Sequence, residues 1–393
     1  MKKMMHRGFL LLMSGFVYCL TAYSQDDKIN RLSPLHTAIP SLSIAPDARG
    51  GAMGDNGVAT LPDINSQYWN PAKYAFMYSK AGASVSYTPW LRKLVSDMAL
   101  AYVAGYYKLG NSDRSAISAS LRYFSLGQVP LFELSGQKYM DLNPYEMALD
   151  ASYSMKLSES SSAAVTLRYI RSDMGTNADS ELQPDNGFAA DISAYTEKYV
   201  YLGDAECLWS SGIHISNLGT KISFNGGATQ QFLPANLKVG TGLLYPVDEY
   251  NRFGVYLDLN KFLVPTVPVQ GEQESAEDFA KRNDRYNTMN AISGAFGSFS
   301  DAPGGLKEEL NEVNISLGAE YNYNEQFFMR GGYYYENRMK GNRQYFSVGA
   351  GFSMNVFRLD AAYLISTVQS NPLDQTLRFS ISFDMDGLKS LFE

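Results

Sequence analysis

The sequence predicts an all-β fold: a fourteen-stranded antiparallel transmembrane β-barrel of an outer membrane, with an N-terminal hatch that plugs the lumen. Three observations lead to this prediction. The chain begins with the features of an export signal, long runs of residues alternate between apolar and polar side chains, and tyrosine and phenylalanine gather near the ends of those runs. Aromatic residues at the ends of strands are typical of the two interfaces of a membrane.

The first residues predict that the protein is exported. Residues 1–7 carry three basic side chains and no acidic one, and residues 8–20 form an apolar run. Ala22 and Ser24 then supply the small side chains that a signal peptidase requires before its cut. We therefore expect a signal peptide of residues 1–24, whose apolar run is too short to span a bilayer.

The composition excludes several classes of function. Lys and Arg total 33 against 40 Asp and Glu, a net charge of −7, so a nucleic-acid partner is not expected. With two cysteines and three histidines in the sequence, we expect neither a disulfide scaffold nor a metal centre built on those residues. No cofactor is indicated. Charged residues make up 19% of the chain, below the roughly 25% that is typical of soluble domains.

The alternation is clearest near the C-terminus. In residues 313–323 the odd positions hold Val, Ile, Leu, Ala or Tyr, and the even positions hold Asn, Ser, Gly or Glu. Residues 377–385 repeat the pattern. A period of two predicts a strand with one apolar and one polar face. A soluble β-sandwich shares this period, but runs of about 10–12 residues match tilted membrane strands better than the roughly 5–6 residues of soluble sheets.

Fourteen such runs divide residues 81–385, the predicted barrel. They are residues 81–88, 95–108, 114–126, 143–157, 160–173, 187–198, 206–217, 236–246, 251–262, 312–323, 326–337, 344–355, 356–368 and 375–385. An even number with short links on one side is typical of bacterial barrels. We expect the short links in the periplasm, together with both termini and the tail of residues 386–393. The longest outward link, residues 263–311, is expected to have a function, because so long a loop is uncommon.

Residues 25–80 form the other informative segment. The segment has glycine-rich turns but no long alternating or amphipathic run. Because it can neither pair as long strands nor build its own core, we expect it to fold into the barrel as a hatch, where glycine permits close packing. The residues that we single out as the hatch motif are Arg49, Gly50, Gly51, Trp69, Asn70, Pro71 and Ala72.

These residues resemble the FadL-type family of fourteen-stranded outer-membrane barrels, in which an N-terminal hatch plugs the lumen. Residues 69–72, Trp-Asn-Pro-Ala, match the hatch motif of that family, and residues 49–52, Arg-Gly-Gly-Ala, match the stretch upstream of it. Within the family, the sequence is similar over essentially the whole mature chain to the FadL-like barrels of type IX secretion. The block of residues 49–76 and the closing strand, residues 376–385, carry this similarity.

The resemblance implies a role in protein secretion without catalysis by the barrel itself. Barrels of this group bind the C-terminal signal domains of exported cargo that emerges from the translocon barrel. They then shuttle the cargo to a sortase-containing attachment complex, where lipopolysaccharide replaces the signal. The implied partners are the translocon, the cargo, the attachment complex, and the lipid and lipopolysaccharide of the outer membrane.

The loop of residues 263–311 contains four candidates for contact with cargo, because aromatic side chains concentrate binding energy at interfaces. They are Phe279, Tyr286, Phe296 and Phe299. The alternative for each of them is that it packs the loop onto the rim of its own barrel.

Two other functions stay open. One is the transport of hydrophobic small molecules by a FadL-like lumen, although the long acidic loop lacks an apolar groove for their capture. The other is a lipopolysaccharide O-deacylase, for which His214 lies on the polar face of a run with Ser216, although no acid that orients the histidine is apparent. Inward charges of both signs argue against an ion-selective pore, and we expect them to bond to one another and to the hatch.

Overall fold

In this computed structural model the described residues are 35–91, 97–110, 114–133, 135–175, 183–224, 230–270, 274–354, 356–368 and 375–385. The predicted signal peptide, the start of the predicted hatch and the predicted C-terminal tail lie outside this part of the chain. Among the described residues, no helix is both long and apolar enough to cross a membrane.

Fourteen antiparallel strands close into a barrel, as predicted, and each predicted run coincides with a strand to within a few residues. The barrel strands are β1 (Ala81–Pro89), β2 (Ala99–Leu109), β3 (Ser115–Ser125), β6 (Tyr145–Lys156), β7 (Ser161–Asp173), β8 (Asp185–Leu202), β9 (Ala205–Gly219), β10 (Asn236–Pro246), β11 (Asn251–Phe262), β12 (Val313–Tyr323), β13 (Phe327–Tyr335), β14 (Gln344–Met354), β15 (Phe357–Ser366) and β16 (Leu377–Asp384). The first and last strands pair directly, with Val85 opposite Ile381, so the sheet has no free edge.

One end of the barrel carries the long connections and the other the short ones. We call these the loop end and the turn end. One turn-end link is shorter than predicted: residues 199–205 were expected to separate two strands, but β8 and β9 stay paired up to Leu202 opposite Ala205. At the loop end, residues 127–142 contain a separate hairpin, β4 (Val129–Phe132) and β5 (Lys138–Leu142).

The apolar face of each strand points away from the lumen, as a lipid-facing surface requires. Within β16, the side chain of Phe379 is 48% exposed, whereas the next residue, Ser380, is 4% exposed and faces the interior. The same contrast separates Leu317 from Ser316 in β12. The alternation in the sequence therefore distinguishes residues that face the lipid from residues that face the lumen.

The interior is filled by residues 35–80, which are largely buried and contain only short helices. These are α1 (Ala48–Ala52), α2 (Ser66–Trp69) and two 3₁₀ helices, Pro40–Ser43 and Pro71–Phe76. The segment starts at the loop end, where the amide of Ala38 donates to the carbonyl of Phe232 at 2.8 Å. It finishes at the turn end, where the carbonyl of Met77 accepts a bond from Lys108 Nζ at 2.8 Å.

The loop of residues 263–311 contains three helices that the sequence analysis missed. They are α3 (Ala276–Thr288), α4 (Ala291–Gly297) and α5 (Leu306–Asn311). The signals were local caps: Ser275 Oγ accepts the amide of Asp278 at 3.1 Å, and Asn290 Oδ1 accepts the amide of Ser293 at 2.8 Å. Side chains of this type satisfy the free N–H groups at the start of a helix.

Because Phe379 faces the lipid, replacing it with Asp is expected to destabilise the barrel. Arg or Lys on the lipid face at mid-membrane costs roughly 2–4 kcal/mol and Asp costs less, so we expect a smaller but measurable loss of stability. Melting in detergent and the yield of heat-modifiable, assembled barrel measure the effect, with Phe379→Leu as the control that keeps an apolar side chain. Equal assembly and melting of Phe379→Asp and the unmodified protein would contradict the assignment of the two faces.

Candidate functional site

The Arg-Gly-Gly and Trp residues of the hatch motif lie together in the structure. Asp47 precedes α1 and accepts the amide of Gly50 at 2.8 Å, while its other carboxylate oxygen accepts Trp69 Nε1–H at 2.6 Å. A β-carbon on Gly50 would lie 2.3 Å from the Trp69 ring, and one on Gly51 would lie 2.1 Å from the Arg378 guanidinium. Only glycine fits these two positions, because the indole and the guanidinium pack directly on the backbone of α1.

Arg49, the charged residue of the motif, joins the N-terminal segment to the barrel wall. Its Nη2 lies 3.1 Å from Glu320 Oε1 on β12, and its Nη1 lies 2.8 Å from Asp63 Oδ2 within the segment. Glu320 also accepts Arg330 Nε–H at 2.6 Å, and Arg330 contacts Asp360 at 2.7 Å. These side chains are almost fully buried, so each charge needs the others as partners.

The Asn-Pro-Ala part of the motif fastens the segment to the opposite wall. Asn70 Nδ2 donates to the carbonyl of Ala194 on β8 at 2.9 Å, and its Oδ1 accepts the amide of Ala72 at 3.1 Å. Ser162 on β7 donates to the carbonyl of Ala72 at 2.7 Å. Pro71 opens a 3₁₀ helix, a position where its missing N–H leaves no bond unmade.

Most inward charges of the wall bond to one another or to the N-terminal segment, as the mixture of signs predicted, whereas Lys238 lies over the rings of Tyr68 and Trp69. Besides the Arg49 network, Arg378 contacts Asp55 at 2.6 Å. Asp258 accepts the amides of Gly57 and Val58 at 2.8 and 2.9 Å. The lumen is therefore closed by ionic and backbone contacts rather than by an apolar core alone.

At the loop end, ion pairs hold the last part of the 263–311 loop to the rim. Lys261 at the end of β11 lies 2.9 Å from Glu309 and also contacts Glu312. Lys340 lies 2.6 Å from Glu308 and 3.0 Å from Glu312. Burial alone would raise the pKa of Glu308, but its bonds from Lys340 and from the amide of Gly304 lower it below its usual range. Helix α5 is thereby joined to the end of β11 and to the link between β13 and β14.

The four aromatic residues that we expected to contact cargo fall into two groups by their burial. Phe279 and Tyr286 on α3 are half-buried, and the Tyr286 ring meets Phe232 with centroids 5.5 Å apart. Tyr286 therefore packs onto the rim of its own barrel, which is the alternative that we gave for each of these residues. Phe296 and Phe299 are 76% and 48% exposed.

Helix α4 explains why Phe296 is exposed; Phe299 follows the end of this helix, with Lys261 Nζ 5.9 Å from its ring centroid. Ala295 is buried against Ala235 and Leu263, so the helix is fastened through its small side chains. Phe296 follows directly on the open side. The sequence could not separate these aromatics from Tyr286, because burial depends on which face of each helix meets the rim.

His214 has an acidic neighbour that the sequence analysis missed. Its Nε2 lies 3.5 Å from Asp191 Oδ2 on β8. The register places Ser193 opposite His214, and Asp191 lies where that register shifts, between Ala190 and Ile192. Asp191 is already engaged by Arg168 at 2.9 Å and by the amide of Asn217 at 2.8 Å. Both His214 and Ser216 are buried in the lumen, away from the lipid-facing surface.

The family described as "Type IX secretion system protein PorV" matches residues 26–269 of the sequence. The chain belongs to this family. Membership of the PorV family makes it an outer-membrane component of the type IX secretion system. The chain therefore functions as part of the type IX secretion system.

No curated protein matches the sequence. Among solved structures, the chain is similar to the Pseudomonas putida toluene transporter TodX, with 11% identity and a TM-score of 0.47, over 90% of this chain and 99% of that one. It is also similar to a Pseudomonas aeruginosa FadL homologue, with 12% identity and a TM-score of 0.44, over 90% and 99% of the two chains. The Ralstonia pickettii toluene transporter TbuX gives 11% identity and a TM-score of 0.44, over 86% and 96%.

In this PorV-family barrel, Glu320→Gln is expected to loosen the N-terminal segment, because Arg49 and Arg330 lose their shared counter-charge. Removing one partner of a buried ion pair costs roughly 3–5 kcal/mol. Melting in detergent and limited proteolysis of the N-terminal segment measure the loss. Glu325→Gln is the matched control, since its partner Arg252 is exposed at the turn end and such pairs contribute at most about 1 kcal/mol. Equal effects of the two substitutions would contradict the role of Glu320.

Proposed function

We propose that this type IX secretion component receives exported proteins at the cell surface by binding their C-terminal signal domains, and passes them to a sortase-containing attachment complex. The observation that carries the proposal is the loop of residues 263–311. It is fastened to the rim by the ion pairs of Lys261 and Lys340, yet it leaves Phe296 and Phe299 open to solvent. A fixed base with exposed aromatic side chains is the arrangement of a preformed protein-binding surface.

The closed lumen supports a function at the surface rather than passage through the barrel. Clefts of about 250 and 200 Å³ lie at the loop end and the turn end, but the two cavities between them measure only about 20 Å³ each, which is room for about one or two water molecules. A polypeptide does not fit such a space. Cargo would instead stay outside the barrel, emerging from a separate translocon, while this protein holds it by the loops.

The polar lining of these cavities also weighs against the transport of hydrophobic small molecules. Tyr102, Arg122, Asp150 and Arg168 surround one of them, and a hydrophobic ligand would have to replace the bonding partners of such groups at a cost. The O-deacylase alternative has no support beyond the pair of His214 and Asp191, because Asp191 is engaged by Arg168 and both residues are buried.

We further propose a division of the chain and an orientation. Residues 1–24 are a signal peptide, residues 25–80 the hatch, residues 81–385 the barrel and residues 386–393 a periplasmic tail, with the turn end in the periplasm and the loop end outside. We expect the N-terminus to be periplasmic as well; the residues before position 35 lie outside the described part of the chain. Residue 35 itself lies at the loop end, where Leu35 and Thr37 adjoin Glu312 and Lys340.

The double variant Phe296→Ser/Phe299→Ser is expected to lose cargo. Isolation of the tagged protein from its native outer membrane in mild detergent, followed by mass spectrometry, should recover surface proteins that retain their C-terminal signal domains. Loss of two aromatic contacts of about 1.4 kcal/mol or more each would lower binding at least roughly tenfold per residue. Tyr250→Ser, which changes an exposed aromatic at the turn end, is the control and should retain cargo.

Retention of cargo by the double variant would exclude this surface. Recovery of a solitary barrel that carries a hydrophobic ligand would overturn the secretion proposal and favour transport.

Cysteine labelling tests the orientation. Cys207 is buried and is the one cysteine outside the predicted signal peptide. Labelling of an introduced cysteine can therefore be distinguished from labelling of the native one. His36→Cys at the loop end should react with a membrane-impermeant maleimide on intact cells, whereas Glu159→Cys at the turn end should react only after permeabilisation. Both His36 and Glu159 are exposed. Labelling in the reverse pattern would place the long loop in the periplasm.

A further inference from the structure

Arg171 is a charged residue on the outer face of the barrel wall. Along β7 the buried positions are the even-numbered ones, such as Arg168 and Ser172, whereas Leu167 is 68% exposed on the opposite face. Arg171 follows the spacing of Leu167 and is only partly buried. An arginine on the lipid-facing side is costly in the middle of a membrane and is tolerated near the interfaces.

Arg171 lies at the level of the lipid headgroups. It is two residues from Asp173, where β7 finishes at the loop end. On the same face, the next residue toward the turn end is Tyr169, whose ring meets that of Phe188 with centroids 5.5 Å apart, and the one after it is Leu167. Tyrosine gathers where the headgroups of a membrane meet its hydrocarbon. Arg171 is therefore on the headgroup side of this aromatic layer.

The two neighbouring strands hold the guanidinium of Arg171 in place. Its Nε donates to the hydroxyl of Tyr145 on β6 at 3.1 Å, and its Nη1 donates to Asn186 Oδ1 on β8 at 3.2 Å. The hydroxyl of Tyr169 donates to the same Asn186 oxygen at 2.7 Å, and the ring of Tyr145 stacks on that of Tyr123 at 5.5 Å. An interfacial arginine commonly extends toward water, whereas this one is bonded sideways to both adjacent strands.

The side chains that hold Arg171 are neutral, and no carboxylate forms an ion pair with it among the described residues. Asp173 lies two residues further along β7, but its carboxylate accepts the amide of Gly175 at 3.0 Å. Asp185, at the start of β8, accepts the amide of Asn186 at 2.8 Å. These two acids therefore bond to backbone amides rather than to the guanidinium.

Lys261, another cation at the loop end of the wall, shows the contrast. The long loop supplies Glu309 at 2.9 Å and Glu312 as its partners. Arg171 has no such acid beside it in the part of the chain that the structure describes. Its bonds to the neighbouring strands use two of the five N–H groups of a guanidinium, so the others can serve a further acceptor. Guanidinium groups bind phosphate through pairs of N–H groups.

We propose that Arg171 binds the phosphate of an anionic lipid at the loop end of the wall, with Tyr145 and Asn186 orienting the guanidinium. The ligand is a lipid rather than free phosphate, because exposed Leu149 and Leu167 lie on the same face toward the middle of the membrane and would contact its acyl chains. The site goes beyond the proposed function, since it is on the wall and not on the cargo loop. Its leaflet follows from the orientation that cysteine labelling tests.

Native mass spectrometry of the delipidated protein in detergent tests the site. The protein is titrated with dioleoyl phosphatidic acid and with dioleoylglycerol, which differ only in the phosphate. The unmodified protein should retain the phosphatidic acid in preference to dioleoylglycerol. Arg171→Gln should weaken this retention roughly tenfold or more, as expected for the loss of a hydrogen bond from a charged group. Asn186→Ala keeps the charge but removes one orienting bond, so its retention should be intermediate.

Lys198→Gln is the matched control, because it removes an exposed cation at the turn end of β8 and should leave the retention of phosphatidic acid unchanged. Equal losses in Lys198→Gln and Arg171→Gln would overturn the site, since they would indicate general attraction of the lipid to positive charge. Displacement of the lipid by an equal concentration of inorganic phosphate would overturn the choice of a lipid. Equal retention of the two lipids by the unmodified protein would also overturn the proposal, and this comparison stands even where Arg171→Gln does not fold.

Discussion

Arg49 and Glu320 meet where the N-terminal segment touches the barrel wall, and the closure of the lumen depends on that contact. A fourteen-stranded barrel is wide enough to enclose a water-filled channel or a ligand cavity unless something fills it. Here the filling is a segment without a long helix or strand, so it needs strong contacts with the wall. The Arg49 network on one side and the bonds of Asn70 on the other supply them.

The polar and charged groups that fill the lumen determine which surface of the protein is accessible to partners. An inner wall that bears Arg330, Asp360 and Glu320 is compatible with a fixed polypeptide whose backbone and side chains match those groups, because each buried charge then has a partner. The same wall is poorly suited to ligands that pass through and leave. The accessible surface of the molecule is therefore its rim, where the ion pairs of Lys261 and Lys340 give the long loop a definite position.

Much of the barrel could be predicted because lipid and lumen impose opposite requirements on neighbouring residues. Phe379 and Ser380 illustrate this, since the apolar side chain is exposed on the outer face and the polar one is buried on the inner face. The loop helices were missed because α3 and α4 have only short-range cap signals, at Ser275 and Asn290. The acid beside His214 was missed because Asp191 lies at a shift in the register of β8 and β9, which the alternation in the sequence does not report.

The N-terminal segment and the long loop form one continuous structure at the loop end. Phe232 connects the two: its carbonyl accepts the amide of Ala38 at 2.8 Å, and its ring meets that of Tyr286 on α3 with centroids 5.5 Å apart. The filling of the lumen thus supports the surface above it. A loop held in this way loses little conformational entropy when a partner binds, so a few exposed aromatic contacts suffice for moderate affinity. Moderate affinity permits release, which the proposed transfer of cargo to another complex requires.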